Sequence, residues 1–409
     1  MIEFEKFKLT NGLEVILHQD KTSSLVCLNT LYKVGSKNED PDKTGFAHLF
    51  EHLMFGGSKH IPNFDSPLQA VGGDNNAFTS SDITNYYTTV PANNIETGFW
   101  LESDRMLALS FEEEVLEREK NVVIEEFKQR YLNQPYGDVW LKLSPAAYQL
   151  HPYRWPTIGK EISHIKNINM EEVKVFFDTY YAPSNAILVI AGNINLLEAQ
   201  QLCAKWFAPI EDRSVNKRII PLEPKQSQHR HIDLTAQVPQ NAIYKAYHMP
   251  GRVSKQYQAN DLLSDILGRG KSSILHQRGV KKSQIFSSLS SYVTGSIDPG
   301  LMIISGRLSE NITFETAEKT LDDAFQELTT QPAESLQKVK NMATSSITFG
   351  EIDLLNRAMS LAYNTHLGNT DLVNKEIDIV EAVTEKEISA AIHSTLLESN
   401  CTTLYYHKN

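Results

Sequence analysis

The chain repeats itself at a spacing of about half its length, and this repeat limits its fold more than any other feature. Residues 46–57, FAHLFEHLMFGG, lie over residues 259–270, ANDLLSDILGRG, at an offset of 213. Residues 170–192, MEEVKVFFDTYYAPSNAILVIAG, lie over residues 385–407, EKEISAAIHSTLLESNCTTLYYH, at an offset of 215, with Ser184-Asn185 on Ser399-Asn400. Two nearly equal offsets in 409 residues mean two copies of one domain. Length agrees, because such a chain exceeds what one hydrophobic core organises. Residues 209–231 are charged, carry three prolines and show no period, as a linker would. This predicts domains over 1–215 and 216–409. In the first copy Asn11-Gly12 reads as a hairpin turn between FEKFKL and LEVILHQ. A further strand, SLVCLNTLYKVG, precedes the first repeated segment, and QNAIYKAYHMPG is its counterpart in the second copy. Hairpins outnumber clear βαβ units. The expected class is therefore α+β, two homologous domains, each an antiparallel sheet packed with helices.

The first copy carries a chemical pattern that the second lacks. In HLFEH, His48 and His52 stand four apart, one above the other on a helix face. Both can grip one metal ion, and Glu51 lies close enough to reach a metal-bound water. Two imidazoles with an adjacent carboxylate base suit zinc hydrolysis. The competing reading is a buried helix whose polar positions happen to be His and Glu. Burial of two histidines and a glutamate inside GFAHLFEHLMFGG is costly unless they are paired or metal-bound. In the second copy His48 falls on Asp261, Glu51 on Ser264 and His52 on Asp265, so the fold is kept and the ligands are lost. A catalytic zinc needs a third protein ligand. The segment LEREKNVVIEEFKQR, from Leu116, reads as a charged helix with an apolar stripe at Val122, Val123 and Phe127. It also suits a solvated helix with pairs such as Glu126 and Arg130. Glu119 and Glu126, two turns apart, share a face. The residues alone leave Glu117, Glu119, Glu125 and Glu126 open.

With these motifs in place the chain resembles the M16 metallopeptidases, the pitrilysin and mitochondrial processing peptidase-like inverzincins, whose signature is HxxEH. NAFTSSDITNYYTTV from Asn76 and HPYRWPTIG from His151 also match, so the resemblance covers essentially the whole chain. It is closest to a short, two-domain, zinc-binding subunit. The resemblance implies Zn2+ held by His48, His52 and Glu126, with Glu119 supporting the site and Glu51 as general base. It implies that Asn76, Ala77, Phe78 and Thr79 form an edge strand that pairs with an extended peptide. As a plain core strand, Phe78 and Ile83 would serve equally well. The implied activity is that of a zinc endopeptidase acting on unfolded or short peptides. Four such domains enclose a chamber in this family, so a chain with two implies a dimer. Active members also need an arginine and a tyrosine over the substrate. In LHQRGVKKSQIFSSLSSY, Arg278 is available, but Phe286 stands in the place of the tyrosine and has no hydroxyl to donate. The expected partner is a homologous, metal-free subunit that supplies the pair, with a homodimer as the alternative. A non-catalytic scaffold or a peptide-holding subunit is the rival function. The whole HxxEH, base included, argues against it.

Composition narrows the remaining classes. A net charge of −11 and a pI near 5.7 argue against nucleic acid and anionic membranes as partners. Cys27, Cys203 and Cys401 show no CxxC spacing and suit buried thiols in a reducing compartment. MIEFEKFKLTNG has neither a basic nor an apolar leader region, so the cytoplasm is expected, or the periplasm had a leader been removed. Arg269, Lys271, Arg278, Lys281 and Lys282 read as solvated surface, or more sharply as a positive patch that draws acidic groups of peptides. His229 and His231 read as surface residues.

Overall fold

The computed structural model of the chain describes residues 1–213, 218–330 and 335–409, and the expected boundary at 215/216 lies outside them. The chain forms two compact units that exchange segments. The first comprises Met1–Gln129, Trp155–Ile220 and Thr348–Lys375, and the second Arg130–Arg154, Pro221–Ile347 and Glu376–Asn409. A single cut does not separate them, because the exchanged segments complete the core of the unit they join. In the first unit Ala358, Leu361 and Ala362 pack with Ile16, Cys27, Leu31, Ile187 and Val189. In the second, Val139, Leu143 and Ala147 pack with Ala242, Leu301 and Leu404.

Six strands build the first sheet: β1 (Glu5–Lys8), β2 (Glu14–Gln19), β3 (Leu25–Tyr32), β4 (Asp74–Thr79), β5 (Thr84–Pro91) and β6 (Ala186–Gly192). Their order is β1-β2-β6-β3-β5-β4. The second sheet has β7 (Arg230–Ala236), β8 (Ala242–Met249), β9 (Phe286–Val293), β10 (Gly300–Leu308) and β11 (Cys401–Lys408). Its order, β7-β11-β8-β10-β9, is that of the first sheet without β1. The expected α+β class and paired sheets are present, and β1 and β2 form the expected hairpin. The sheets are not wholly antiparallel, however. β2 runs parallel to β6, and β7 runs parallel to β11. Each parallel pair joins the start of a copy to its end, a long crossover that alternation of residues cannot reveal.

The helices that matter to the site are α1 (Phe46–Leu53), α2 (Glu113–Phe127) and α3 (Met170–Tyr180) in the first unit. Three further helices are α4 (Tyr257–Gly268), α5 (Leu354–His366) and α6 (Glu385–Thr395). The repeat extends to single hydrogen bonds. Asn169 and Glu172 form a capping box at the start of α3, and Thr384 and Glu387 form one at the start of α6. Asn185 Nδ2 donates to Tyr180 O at 2.7 Å, and Asn400 Nδ2 donates to Thr395 O at 2.9 Å. Each of these pairs keeps the offset of 215. Among the described residues no helix is long and apolar enough to cross a membrane. All three cysteines are buried thiols, and burial pushes Cys27 and Cys203 up to about 12.

Candidate metal centre

The helix α1 is apolar around its polar positions, and this is what holds it. Phe46, Ala47, Leu49, Phe50 and Leu53 are buried. The Phe50 ring lies on Tyr181 at 4.9 Å and beside Phe176 of α3 at 5.0 Å. Burial of each such aromatic ring contributes about 1.5–3 kcal/mol. The hydroxyl of Tyr86 on β5 donates to Phe50 O at 3.3 Å, which ties the helix to the sheet. Past the C-terminus of the helix the chain turns at Gly57, where φ is +111° and a Cβ would stand 2.9 Å from Pro62 O. That glycine cannot be replaced without moving the exit from the helix.

This packing leaves His48 and His52 on the side of α1 that meets α2. The four glutamates that the sequence left open divide cleanly there. Glu117 turns out to Lys120 at 2.6 Å, and Glu125 to Lys128 at 2.6 Å. Glu119 and Glu126 turn inward. Glu126 Oε2 lies 3.6 Å from His48 Nε2 and 3.6 Å from His52 Nε2. Ligand atoms of His48, His52 and Glu126 all lie within 4.8 Å of one another. Bonds of about 2.05 Å at a tetrahedral angle put ligand atoms about 3.3 Å apart, so the donor set fits a zinc ion. The two separations from Glu126 are longer than hydrogen bonds and close to that edge length.

Glu119 stands behind this cluster. Its Oε2 is 3.7 Å from His52 Nδ1, and its Oε1 accepts from Arg118 Nε at 3.0 Å. A carboxylate on the far nitrogen of an imidazole fixes the orientation of a ligand ring. Burial disfavours the His52 cation, yet the Glu119 and Glu126 carboxylates outweigh it and raise the imidazole to about 9. Burial also works against the Glu119 anion, but His52 and then Arg118 hold its carboxyl below the usual range. Glu51 is half-buried, and its charge is felt by His52, Tyr86 and Tyr181.

Asn76, Ala77, Phe78 and Thr79, expected to pair with substrate, lie on β4, the edge of the first sheet, paired with β5 on one side. β4 packs beside α1, and Phe78 is exposed. Arg278 belongs to the second unit, where Glu327 accepts from its Nε at 3.0 Å and its Nη2 at 2.6 Å. Phe286 is buried against Gly279 and Gly306 in the core of that unit, so its ring faces no open surface. Asp261 and Asp265 take the places of the two histidines on α4. Burial, and then the neighbouring Asp265, push Asp261 up to about 6. Among the described residues the only group of three able to hold a metal is the one in the first unit.

Sequence reasoning passed over Glu39. It is buried at 2 % exposure and bonds the first-turn amides of α1. A helix that opens on Gly45, with no capping side chain of its own, was the signal available.

Comparisons with known proteins show the family. Residues 14–161 match the family model described as insulinase (peptidase family M16), and residues 167–343 match that of the peptidase M16 inactive domain. The first stretch contains His48, Glu51, His52 and Glu126. The chain is 32% identical to the zinc protease PqqE of Helicobacter pylori, over 78% of this chain and 72% of that protein. It is 28% identical to the uncharacterized zinc protease YmxG of Bacillus subtilis, over 75% and 74%. A crystal structure of a protease from Helicobacter pylori superposes with a TM-score of 0.92 and 27% identity, covering 99% of this chain and 100% of that one. The fold, the two family models and the relatives together place the chain in peptidase family M16.

Proposed function

We propose that the chain is a zinc-dependent endopeptidase that hydrolyses unfolded or short peptides. One observation carries this reading. His48, His52 and Glu126 converge on one point, and Glu51 shares a helix with two of them. Three protein donors suit a catalytic site, whereas a structural zinc site is closed by a fourth. The relatives named as zinc proteases support the same reading. When bound, zinc supplies a Lewis acid for the scissile carbonyl and acidifies a water towards neutral pH. Glu51 accepts that water's proton on its carboxylate and returns it to the leaving amine. Glu119 keeps the His52 ring turned for its task. Asn76, Ala77, Phe78 and Thr79 offer the free edge of β4, and an extended peptide adds there as a further strand. Main-chain pairing of that kind gives affinity without demanding a particular sequence. We assign Arg278 a substrate-contacting role only if it exchanges Glu327 for a substrate carboxylate. The chain works as a dimer around a closed chamber, with a metal-free homologous subunit supplying the arginine and tyrosine, or with a second copy of itself.

The test is cleavage of a quenched, unstructured peptide of about 20 residues, long enough to occupy an extended site at ~3.3 Å per residue. Wild type and Glu51→Gln are compared, each loaded with zinc. Cleavage by the wild type and none by the variant is expected. Equal cleavage by both removes Glu51 from its role. Zinc bound without cleavage by the wild type points to a missing partner, and size-exclusion of the native complex with identification of its chains then decides between the two dimers. If the identified partner restores no cleavage, the non-catalytic subunit reading takes over.

A further inference from the structure

We propose that Glu39 is the positioning residue of the metal helix, a cap supplied from outside α1 that sets where His48 stands. The inference rests on the zinc reading above for its consequence and on the geometry of the first unit for its basis.

The helix α1 has only eight residues and opens on Gly45, whose backbone is left-handed with φ +98°. The N-cap, a glycine, has no side chain to accept from the first-turn amides. A side chain at Gly45 is also barred, because a Cβ there would lie 2.8 Å from Ile158 O. The cap therefore has to come from elsewhere, and Glu39 supplies it. Its Oε2 accepts from Gly45 N at 2.9 Å, and its Oε1 accepts from Ala47 N at 2.8 Å. One carboxyl group thus satisfies two of the four orphan donors that every helix start presents.

Glu39 cannot drift, because its surroundings are themselves tied. Arg218 Nη1 donates to Glu39 O at 2.7 Å, and the Tyr180 hydroxyl donates to Asn38 O at 3.1 Å. The Trp155 indole donates to Ser36 O at 3.0 Å and lies beside the Glu39 carboxylate. His164 Nδ1 accepts from Thr44 N at 3.0 Å, which fixes the approach to Gly45 from the other side. The WPTIG stretch, matched at the sequence level without a role, thus acts here as a buttress for the start of α1. Its tryptophan steadies the cap, and its Ile158 carbonyl occupies the space above Gly45.

The consequence falls on His48. It is the third residue of the helix, one past the capped Ala47, whereas His52 lies in the last turn. A two-turn helix has little cooperative reserve, so loss of the cap frays the turn that carries His48 first. Glu39 touches neither substrate nor metal and acts through the helix.

The experiment compares Glu39→Gln with wild type and with Val189→Ala. Val189 lies in the buried strand β6, so its truncation lowers stability without touching α1. In the glutamine variant one amide N–H must face a backbone N–H, so one of the two caps is lost. Zinc affinity is read by competition with a chromophoric chelator, and hydrogen exchange is read on the metal-free proteins. Expected in Glu39→Gln is faster exchange confined to the peptide spanning α1, with zinc affinity lower by up to about tenfold, the upper end of what one hydrogen bond contributes. Val189→Ala is expected to unfold at lower temperature with neither change. If the two variants match in exchange and affinity, Glu39 is merely structural and the proposal is overturned. If wild type itself binds no zinc, the metal reading fails, while the exchange comparison still decides the role of Glu39. Should Glu39→Gln not fold, Trp155→Phe removes the indole donor alone. Faster α1 exchange in that variant supports the proposal, and unchanged exchange sinks it.

Discussion

Zinc affinity should fall steeply as the pH drops from 9 to 7, because the metal-free site holds a proton where the metal must bind. Glu119 and Glu126 overcome the effect of burial and raise His52 to about 9. At pH 7 that is two units below the titration point, so His52 carries its proton in about 99% of metal-free molecules. A metal ligand must be the neutral imidazole, so binding expels that proton. Two units correspond to about 2.7 kcal/mol, or a roughly hundredfold weaker apparent affinity at pH 7 than above pH 9. The assay is a chelator competition from pH 7 to 9.5, corrected for the chelator's own protonation and repeated in buffers of different ionisation heat to count protons released. A slope of one decade per pH unit is expected below pH 9. In Glu119→Gln the carboxylate nearest His52 Nδ1 is gone, and the bend in the curve should move to lower pH. A flat wild-type curve between pH 7 and 9 would refute the reasoning, since it would mean His52 enters the site already neutral. The metal-free protein responds in the opposite sense. The contribution of protonated His52 to stability is full below about pH 6.5 and is lost as pH rises through about 9.

Other outcomes follow from the same geometry. Glu51→Gln should keep zinc within a few-fold of wild type and lose cleavage by about 10²–10⁴-fold, the range that a positioned base contributes; retained turnover in a peptide assay would remove the base from Glu51. Glu126→Ala should lose zinc on dialysis while Glu125→Ala keeps it, because Glu125 faces Lys128; metal analysis of the two proteins separates them. Asn169→Ala and Thr384→Ala each remove a capping-box acceptor at equivalent places in the two copies and should each cost about 1 kcal/mol in chemical denaturation. A cost from one and none from the other would break the equivalence.

The two copies were legible because their matching features are local. The capping residues of α3 and α6 and the Ser-Asn pairs that end those helices recur at one spacing. His48, Glu51 and His52 were legible for the same reason, since a single helix turn brings them together. Glu126 was not separable from Glu119 by periodicity, as both lie on one face of α2. Only the packing of α2 against α1 shows that Glu126 meets both histidines and Glu119 stands behind His52. The parallel pairing of β2 with β6 joins Glu14 to Ile187, a relation that alternation along either strand cannot carry. The exchange of segments between units was invisible for a similar reason. An amphipathic helix such as α5 advertises a face to bury without naming the sheet it will cover. Glu39 escaped notice because its partners are backbone amides, which leave no mark on residue identity.

The exchange of segments also governs the order in which the chain can mature. The first unit includes Thr348–Lys375, so the apolar face formed by Ile16, Leu31, Ile187 and Val189 stays uncovered until α5 has been synthesised. A nascent chain that has emerged as far as residue 220 already holds every proposed ligand and the base. Its sheet remains exposed nonetheless while the ribosome adds more than a hundred further residues, about 7 to 30 seconds at the usual pace of translation. Stalled or truncated products that end before α5 should therefore be clients of chaperones, and the two halves should not be obtainable as separate soluble proteins by cutting the gene at its midpoint. Completion of the unit that carries His48, His52 and Glu126 thus waits on a segment more than two hundred residues downstream of them.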